Sequence, residues 1–222
     1  MQIEIFKKLA LLAAATCFSF GVSAGSLSGG SDTDKMIIGD SIFALSGDIH
    51  AYLEEDLNED IDTHARSGCQ MNGGNIICSS RYNVPNQYDD ASKRGINTVI
   101  MNGGGNDFLL GDGGDCTTQA CIQEVLFAIE ETISGLVADM RNDGINEIIF
   151  LGYYYVEDEA NSAINKLSMD YKAANYPAMG VKFVDSRDAF LGNERVYITS
   201  DGIHPTAAGS RVLATLIKNA LD

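Results

Sequence analysis

Basic side chains are scarce in this sequence. Fifteen Lys and Arg stand against 31 Asp and Glu, a formal net charge of −16 over 222 residues. So negative a surface repels nucleic acid and anionic membranes, which argues against both as partners. Histidine is rarer, at three: His50, His64 and His204. These show no metal-ligand spacing and no CxxC pair exists, so zinc and metal-hydrolase sites lack their ligands. The G-x-G-x-x-G of a dinucleotide-binding turn is missing after "KMII" (35–38), where "GDSIFALSG" stands instead. No cofactor is expected. Only one long apolar run occurs, and it lies at the N-terminus.

That first segment reads as a secretory signal peptide. Lys7 and Lys8 precede an apolar run from Leu9 to Phe20, which ends in the small-x-small pattern Val22-Ser23-Ala24. The run falls short of the ~20 residues a membrane span needs. Cys17 follows Ala14-Ala15-Thr16, a poor lipoprotein signal. Cleavage after Ala24 leaves 198 residues of net charge −17, because the removed piece carries +1. The organisation expected is a signal at 1–24, a linker at 25–34 and one domain at 35–222. Localisation is expected to be periplasmic or extracellular. No stable membrane insertion is expected once the signal has gone. Cys69, Cys78, Cys116 and Cys121 remain, and an even count in an exported chain implies disulfides. Three pairings are open. Cys69–Cys78 with Cys116–Cys121 is preferred, because each pair brackets a short Gly- or Asp-rich loop.

Strands alternate with helices along the rest. "KMIIG" (35–39), "DTHAR" (62–66), "NTVIMN" (97–102), "NEIIFLGYY" (146–154) and "VKFVD" (181–185) read as strands. Helices are expected near 47–57, 118–141, 158–175 and 206–221. In the second, Ile122, Val125, Leu126, Ile129, Ile133, Leu136, Val137 and Met140 recur at three- and four-residue steps. Continuous apolar strands are buried on both faces of a parallel sheet. The fold class is therefore α/β, a three-layer α/β/α sandwich around a mainly parallel five-stranded sheet. Its ligands bind beyond the carboxyl ends of the strands.

The stretch "NGGGNDFLLGDGGD" (102–115) has some calcium β-roll character. Its second copy is imperfect and a third is absent, whereas a roll needs about three repeats to bury a core. A single calcium at Asp112 and Asp115, or a solvated acidic loop, both fit the remainder. Another short match, "GVSAG" (21–25), has the G-x-S-x-G form of a nucleophile elbow. It straddles the cleavage point and follows no strand.

Four other short motifs stand at strand ends or before the last helix. They are "GDS" (39–41), "SG" (67–68), "GGND" (104–107) and "DGIHP" (201–205). In this order the chain resembles the SGNH (GDSL) hydrolase family, in motifs spanning residues 36 to 205, most of the mature chain. "GDSI" replaces the family's common "GDSL". The resemblance implies a flavodoxin-like fold of SGNH type and a serine esterase. It implies Ser41 as nucleophile, with Asp201 and His204 completing a triad. It also implies an oxyanion hole from the Ser41 and Gly68 N–H groups and the Asn106 amide. The stretch after Gly68 departs from the pattern, with Cys69 and an insertion to about Tyr82.

The residue types suit that chemistry. A serine hydroxyl needs a base to take its proton, and histidine can do so near neutral pH. Asp201, three residues before His204, can reach the other ring nitrogen across a turn. Asp40 and Asp107 read as structural, bonding loop backbone. Ser41 could instead cap the following helix, and Asn106 could be a turn former. Tyr153, Tyr154 and Tyr155 either line a substrate cleft or pack beneath the loop. The substrate expected is a small-molecule, glycan or lipid ester with a small to medium acyl group, since nothing reads as a large apolar lid. A non-catalytic glycan- or lipid-binding module of the same fold is the alternative. It predicts loss of a triad residue, and none is lost.

Overall fold

The computed structural model describes residues 33–156 and 158–221. The signal segment, Cys17, the "GVSAG" match and most of the linker lie outside the described residues. Five strands form one sheet: β1 (Lys35–Ile38), β2 (Asp62–Thr63), β3 (Thr98–Met101), β4 (Glu147–Leu151) and β5 (Lys182–Val184). The order is β2-β1-β3-β4-β5 and every pairing is parallel. The described helices are α1 (Ser41–Ala44), α2 (Asp48–Leu57), α3 (Val84–Asp90), α4 (Gly105–Leu109), α5 (Gln119–Asn142), α6 (Glu159–Asn175), α7 (Arg187–Phe190), α8 (Glu194–Tyr197) and α9 (Ala207–Ala220).

Alternation along the strands builds two cores. Met36, Ile38, Val99, Met101, Ile148 and Phe150 face one way, against Ile129, Ile133, Val137 and Met140 of α5. Ile37, Ile100, Ile149 and Leu151 face the other, against Ile49 and Leu53 of α2 and Leu213 and Ile217 of α9. Side chains of successive strand residues point to opposite faces, so covering both faces calls for apolar residues at every position. That is why these strands read as unbroken apolar runs.

The strand expected over 62–66 has a two-residue ladder. The chain nevertheless continues beside β1, with the His64 N–H donating to Ile37 O (2.8 Å) and the Arg66 N–H to Gly39 O (3.0 Å). It is the sheet's edge, and after Ile61 the side chains are no longer fully buried. The long helix matches its periodicity. Its first turn is capped by the Thr118 hydroxyl, which accepts from the Cys121 N–H (3.2 Å). The disulfides are Cys69–Cys78 and Cys116–Cys121, the local pairing. Among the described residues no helix is long and apolar enough to cross a membrane.

The strand order positions the site. From β1 the chain leaves to α2 on one face, and from β3 to α5 on the other. The reversal opens a crevice beyond the ends of β1 and β3, the usual ligand position in such sheets. The segments that begin there are Gly39–Ser41 and Gly103–Asn106.

Candidate active site

Gly39 ends the first strand with φ +147°, and a Cβ there would stand 1.9 Å from Asn102 Oδ1. No other residue fits that approach. The Asn102 amide pairs with Asp40 twice. Its Oδ1 accepts from the Asp40 N–H (3.0 Å) and its Nδ2 donates to Asp40 Oδ1 (2.8 Å). Gln87 of α3 clamps Gly39 similarly, accepting from its N–H (2.8 Å) and donating to its carbonyl (3.0 Å). Both amides are buried. Asp40, not Ser41, caps α1, with Oδ1 accepting from the Ile42 N–H (3.0 Å). The Ser41 hydroxyl is thereby left for other partners.

That partner comes from the chain's other end. His204 Nε2 lies 2.8 Å from Ser41 Oγ, and His204 Nδ1 lies 2.7 Å from Asp201 Oδ2. The Asp-Gly-Ile-His turn is held by Asp201 itself, whose Oδ1 accepts from the Ile203 and His204 N–H groups (both 2.9 Å) and the Thr199 hydroxyl (2.7 Å). Partial burial alone would raise this carboxyl, but the hydrogen bonds from His204, Ile203 and Thr199 outweigh it and hold the group at about 2. Asp201 is therefore an anion at neutral pH. A carboxylate can only accept, so it selects the tautomer with a proton on Nδ1. Nε2 is then free to accept from the serine. Tyr154 steadies the turn from below, donating to Ile203 O (2.6 Å).

Two further loops meet here. Asn106, the second residue of α4, is buried, and its Nδ2 donates to Cys69 O (3.0 Å). Asn106 and Ser41 line the same cavity, while Gly68, next to Cys69 in the chain, does not. Gly68 has φ +76°, and a Cβ there would press to 2.6 Å from Ile77 in the Cys69–Cys78 loop. The Asp107 carboxylate ties the loops together by accepting from the Met71 and Asn72 N–H groups (both 2.9 Å). Tyr153 bridges the remaining pair, donating to Asp40 Oδ2 (2.5 Å) while its oxygen accepts from the Gly105 N–H (3.1 Å). Burial first, then the Asp40 carboxylate, pushes the Tyr153 phenol well above its ordinary value, so it stays a donor.

The GDSL-like lipase/acylhydrolase family pattern matches residues 37–212. The chain belongs to that family. Ester hydrolysis is the activity that membership carries. No curated protein matches the chain. Solved structures share the fold. A lipase, Lip_vut3, from a goat rumen metagenome is 18% identical with a TM-score of 0.62, over 84% of this chain and 96% of that one. An acetyl-xylooligosaccharide esterase, Axe2, from Geobacillus stearothermophilus, in a mutant form, is 17% identical with a TM-score of 0.63, over 87% and 96%. LAE5, an alpha/beta hydrolase from the Lake Arreo metagenome, is 21% identical with a TM-score of 0.64, over 87% and 96%.

In this GDSL-like hydrolase a cavity of about 110 Å³ opens at Ser41, between α1, α4 and α6. Its walls are mainly apolar. Tyr153 and Tyr154 both line it, and Tyr154 also stacks on Phe190, ring centroids 3.9 Å apart. Tyr155 stays out of it. Tyr153, Asn102 and Gln87 are the residues that sequence motifs missed in supporting roles. Only Tyr153 had a signal, as part of a tyrosine run after a strand.

Asp107 provides a pH test. Burial raises its carboxyl to about 6, against the Met71 and Asn72 hydrogen bonds that favour the anion. The folded hydrolase holds that proton more tightly than the unfolded chain. The stability it brings is full below about pH 4 and is lost as pH rises through about 6. Each tenfold in proton affinity is worth about 1.4 kcal/mol, so the loss is up to roughly 3 kcal/mol. Asp107→Asn does not titrate. In urea unfolding it gains on the wild type by up to that amount between pH 4 and pH 7, and a pH-independent difference overturns the assignment.

Proposed function

We propose that this hydrolase is an exported serine esterase acting through Ser41, His204 and Asp201. The observation that carries the reading is the continuous contact from Ser41 Oγ to His204 Nε2 (2.8 Å) and from His204 Nδ1 to Asp201 Oδ2 (2.7 Å). Axe2, named an acetylxylan esterase, has been solved as catalytic mutants at an aspartate and at a histidine three residues later. The same spacing separates Asp201 from His204. Two disulfides support export, since such bonds persist in oxidising compartments.

On this reading Ser41 Oγ attacks the ester carbonyl carbon as its proton passes to His204 Nε2. Asp201 stabilises the imidazolium so formed. The carbonyl oxygen becomes an oxyanion, met by the Ser41 and Gly68 N–H groups and by Asn106 Nδ2. That amide has two hydrogens. One goes to Cys69 O, which fixes the group, and the second serves the oxyanion. The intermediate collapses, the C–O bond to the alcohol breaks, and His204 gives its proton to the leaving oxygen. Water then attacks the acyl-enzyme, again losing its proton to His204, and the acid leaves as Ser41 is restored. The substrates are carboxylic esters with small to medium acyl groups.

A fluorophosphonate probe tests the nucleophile, because it phosphonylates only an activated serine. Mass spectrometry of the digested protein is expected to find one adduct, on the peptide that contains Ser41. Ester turnover with the adduct on another residue, or with no adduct, sinks the reading.

A further inference from the structure

We propose that the 110 Å³ cavity beside Ser41 is the acyl subsite, that it takes a chain of about four carbons, and that Ile164 of α6 gauges the length. The inference rests on the serine-esterase reading above.

Position fixes which half of the ester the cavity receives. The leaving alcohol must lie against His204 Nε2, which protonates it. The cavity is lined by Ser41, by Gly104, Gly105 and Asn106, and by Ile203, but not by His204 itself. It therefore opens on the nucleophile and the Asn106 amide, and the base itself does not face it. Of the three directions at the reacting carbon, one belongs to the oxyanion and one to the alcohol. The cavity occupies the third.

Shape and lining fix what fits. Phe108, Leu109, Val156, Ile164 and Met169 make the walls, so the occupant is hydrocarbon. An apolar cavity of about 150 Å³ holds the six carbons of benzene, so about 110 Å³ holds about four. Part of the lining is polar, from Asn165 and Ser168. Ser168 accepts a hydrogen bond from the fully buried Lys172 (3.0 Å), which also pairs with Glu130. The Asn165 amide donates to Tyr154 O (2.6 Å). Pressing methylene against such groups strips their polar surroundings without replacement. The cavity thus pairs a mainly apolar lining with a polar patch. Ile164 lines it and is partly buried. Met169 is wholly buried and is less suited to substitution.

The experiment is a chain-length series of p-nitrophenyl esters from acetate to dodecanoate, with wild type, Ile164→Ala, Ile164→Phe and Ser41→Ala. Each buried methylene is worth about a factor of four. Butyrate is expected to exceed acetate about 15-fold in kcat/KM, and octanoate to fall at least about tenfold below butyrate. Ile164→Phe moves the optimum to acetate and Ile164→Ala moves it to hexanoate or beyond. Circular dichroism and fluorophosphonate labelling identify any variant that fails to fold. An optimum above octanoate in wild type, or one unmoved in both folded Ile164 variants, overturns the acyl subsite. If Ser41→Ala still falls below about 1% of wild-type turnover in that case, the serine-esterase reading stands. Turnover above that level in folded Ser41→Ala overturns that reading instead.

Discussion

Replacing Ser41 by alanine is expected to lower kcat for p-nitrophenyl butyrate by about 10⁶, to a residue of about 10³–10⁴ over water. On the proposed mechanism the remainder comes from the oxyanion donors and substrate binding, which the change leaves in place. The loss is chemical, not structural. Asp40 supplies the cap of α1, so removing the Ser41 hydroxyl deprives no backbone N–H of its acceptor. Melting should stay within a few degrees of wild type. A variant that melts normally and keeps more than about 1% of kcat would mean another group attacks the ester.

Asp201→Asn should be nearly as damaging, at about 10⁴ in kcat. The substitution keeps size and shape. The amide oxygen can still accept from the Ile203 and His204 N–H groups, as Oδ1 does now. The amide nitrogen then faces His204 Nδ1, and two donors cannot meet. The imidazole must place its proton on Nε2, where it cannot accept from Ser41. Asp201→Ala, which lets water reach Nδ1, should be no worse. Because Asp201 is held at about 2, it stays ionised across the whole assay range. Titration of Asp201 should therefore add no acid limb to the wild-type rate profile in that range. If Asp201→Asn retained a tenth or more of wild-type kcat, the aspartate would not be orienting the base.

Much of this was legible from the sequence, for a physical reason. Every buried parallel strand must be apolar on both faces, and Ile100 and Ile149 stand out in their runs accordingly. The long helix announces itself because Ile129, Ile133, Val137 and Met140 share one face. Ser41, Asn106, Asp201 and His204 were visible because each sits in a short motif at a strand or helix boundary. Gln87 and Asn102 were not. Each acts through side-chain bonds to Gly39 or Asp40, 48 or 62 residues away in the chain, and no local pattern marks a lone amide. Asp40 was read as bonding loop backbone, which it does at Ile42, yet two of its partners are the side chains of Asn102 and Tyr153. The segment from Gln70 to Ser79 has no regular element. It is tied by Cys69–Cys78 and by Asp107, and periodicity cannot report such ties.

The separation between Ser41 and His204 bears on when the enzyme can become active. Ser41 is synthesised early and His204 is 163 residues behind it. The last strand and α9 follow the same late schedule, and α9 covers the face of the sheet on which α2 also packs. A chain halted before His204 holds the serine without a base for it. Contacts at such long range are also slow to form. Hydrolytic competence is then acquired only once the chain through His204 has been made and has folded back onto Ser41.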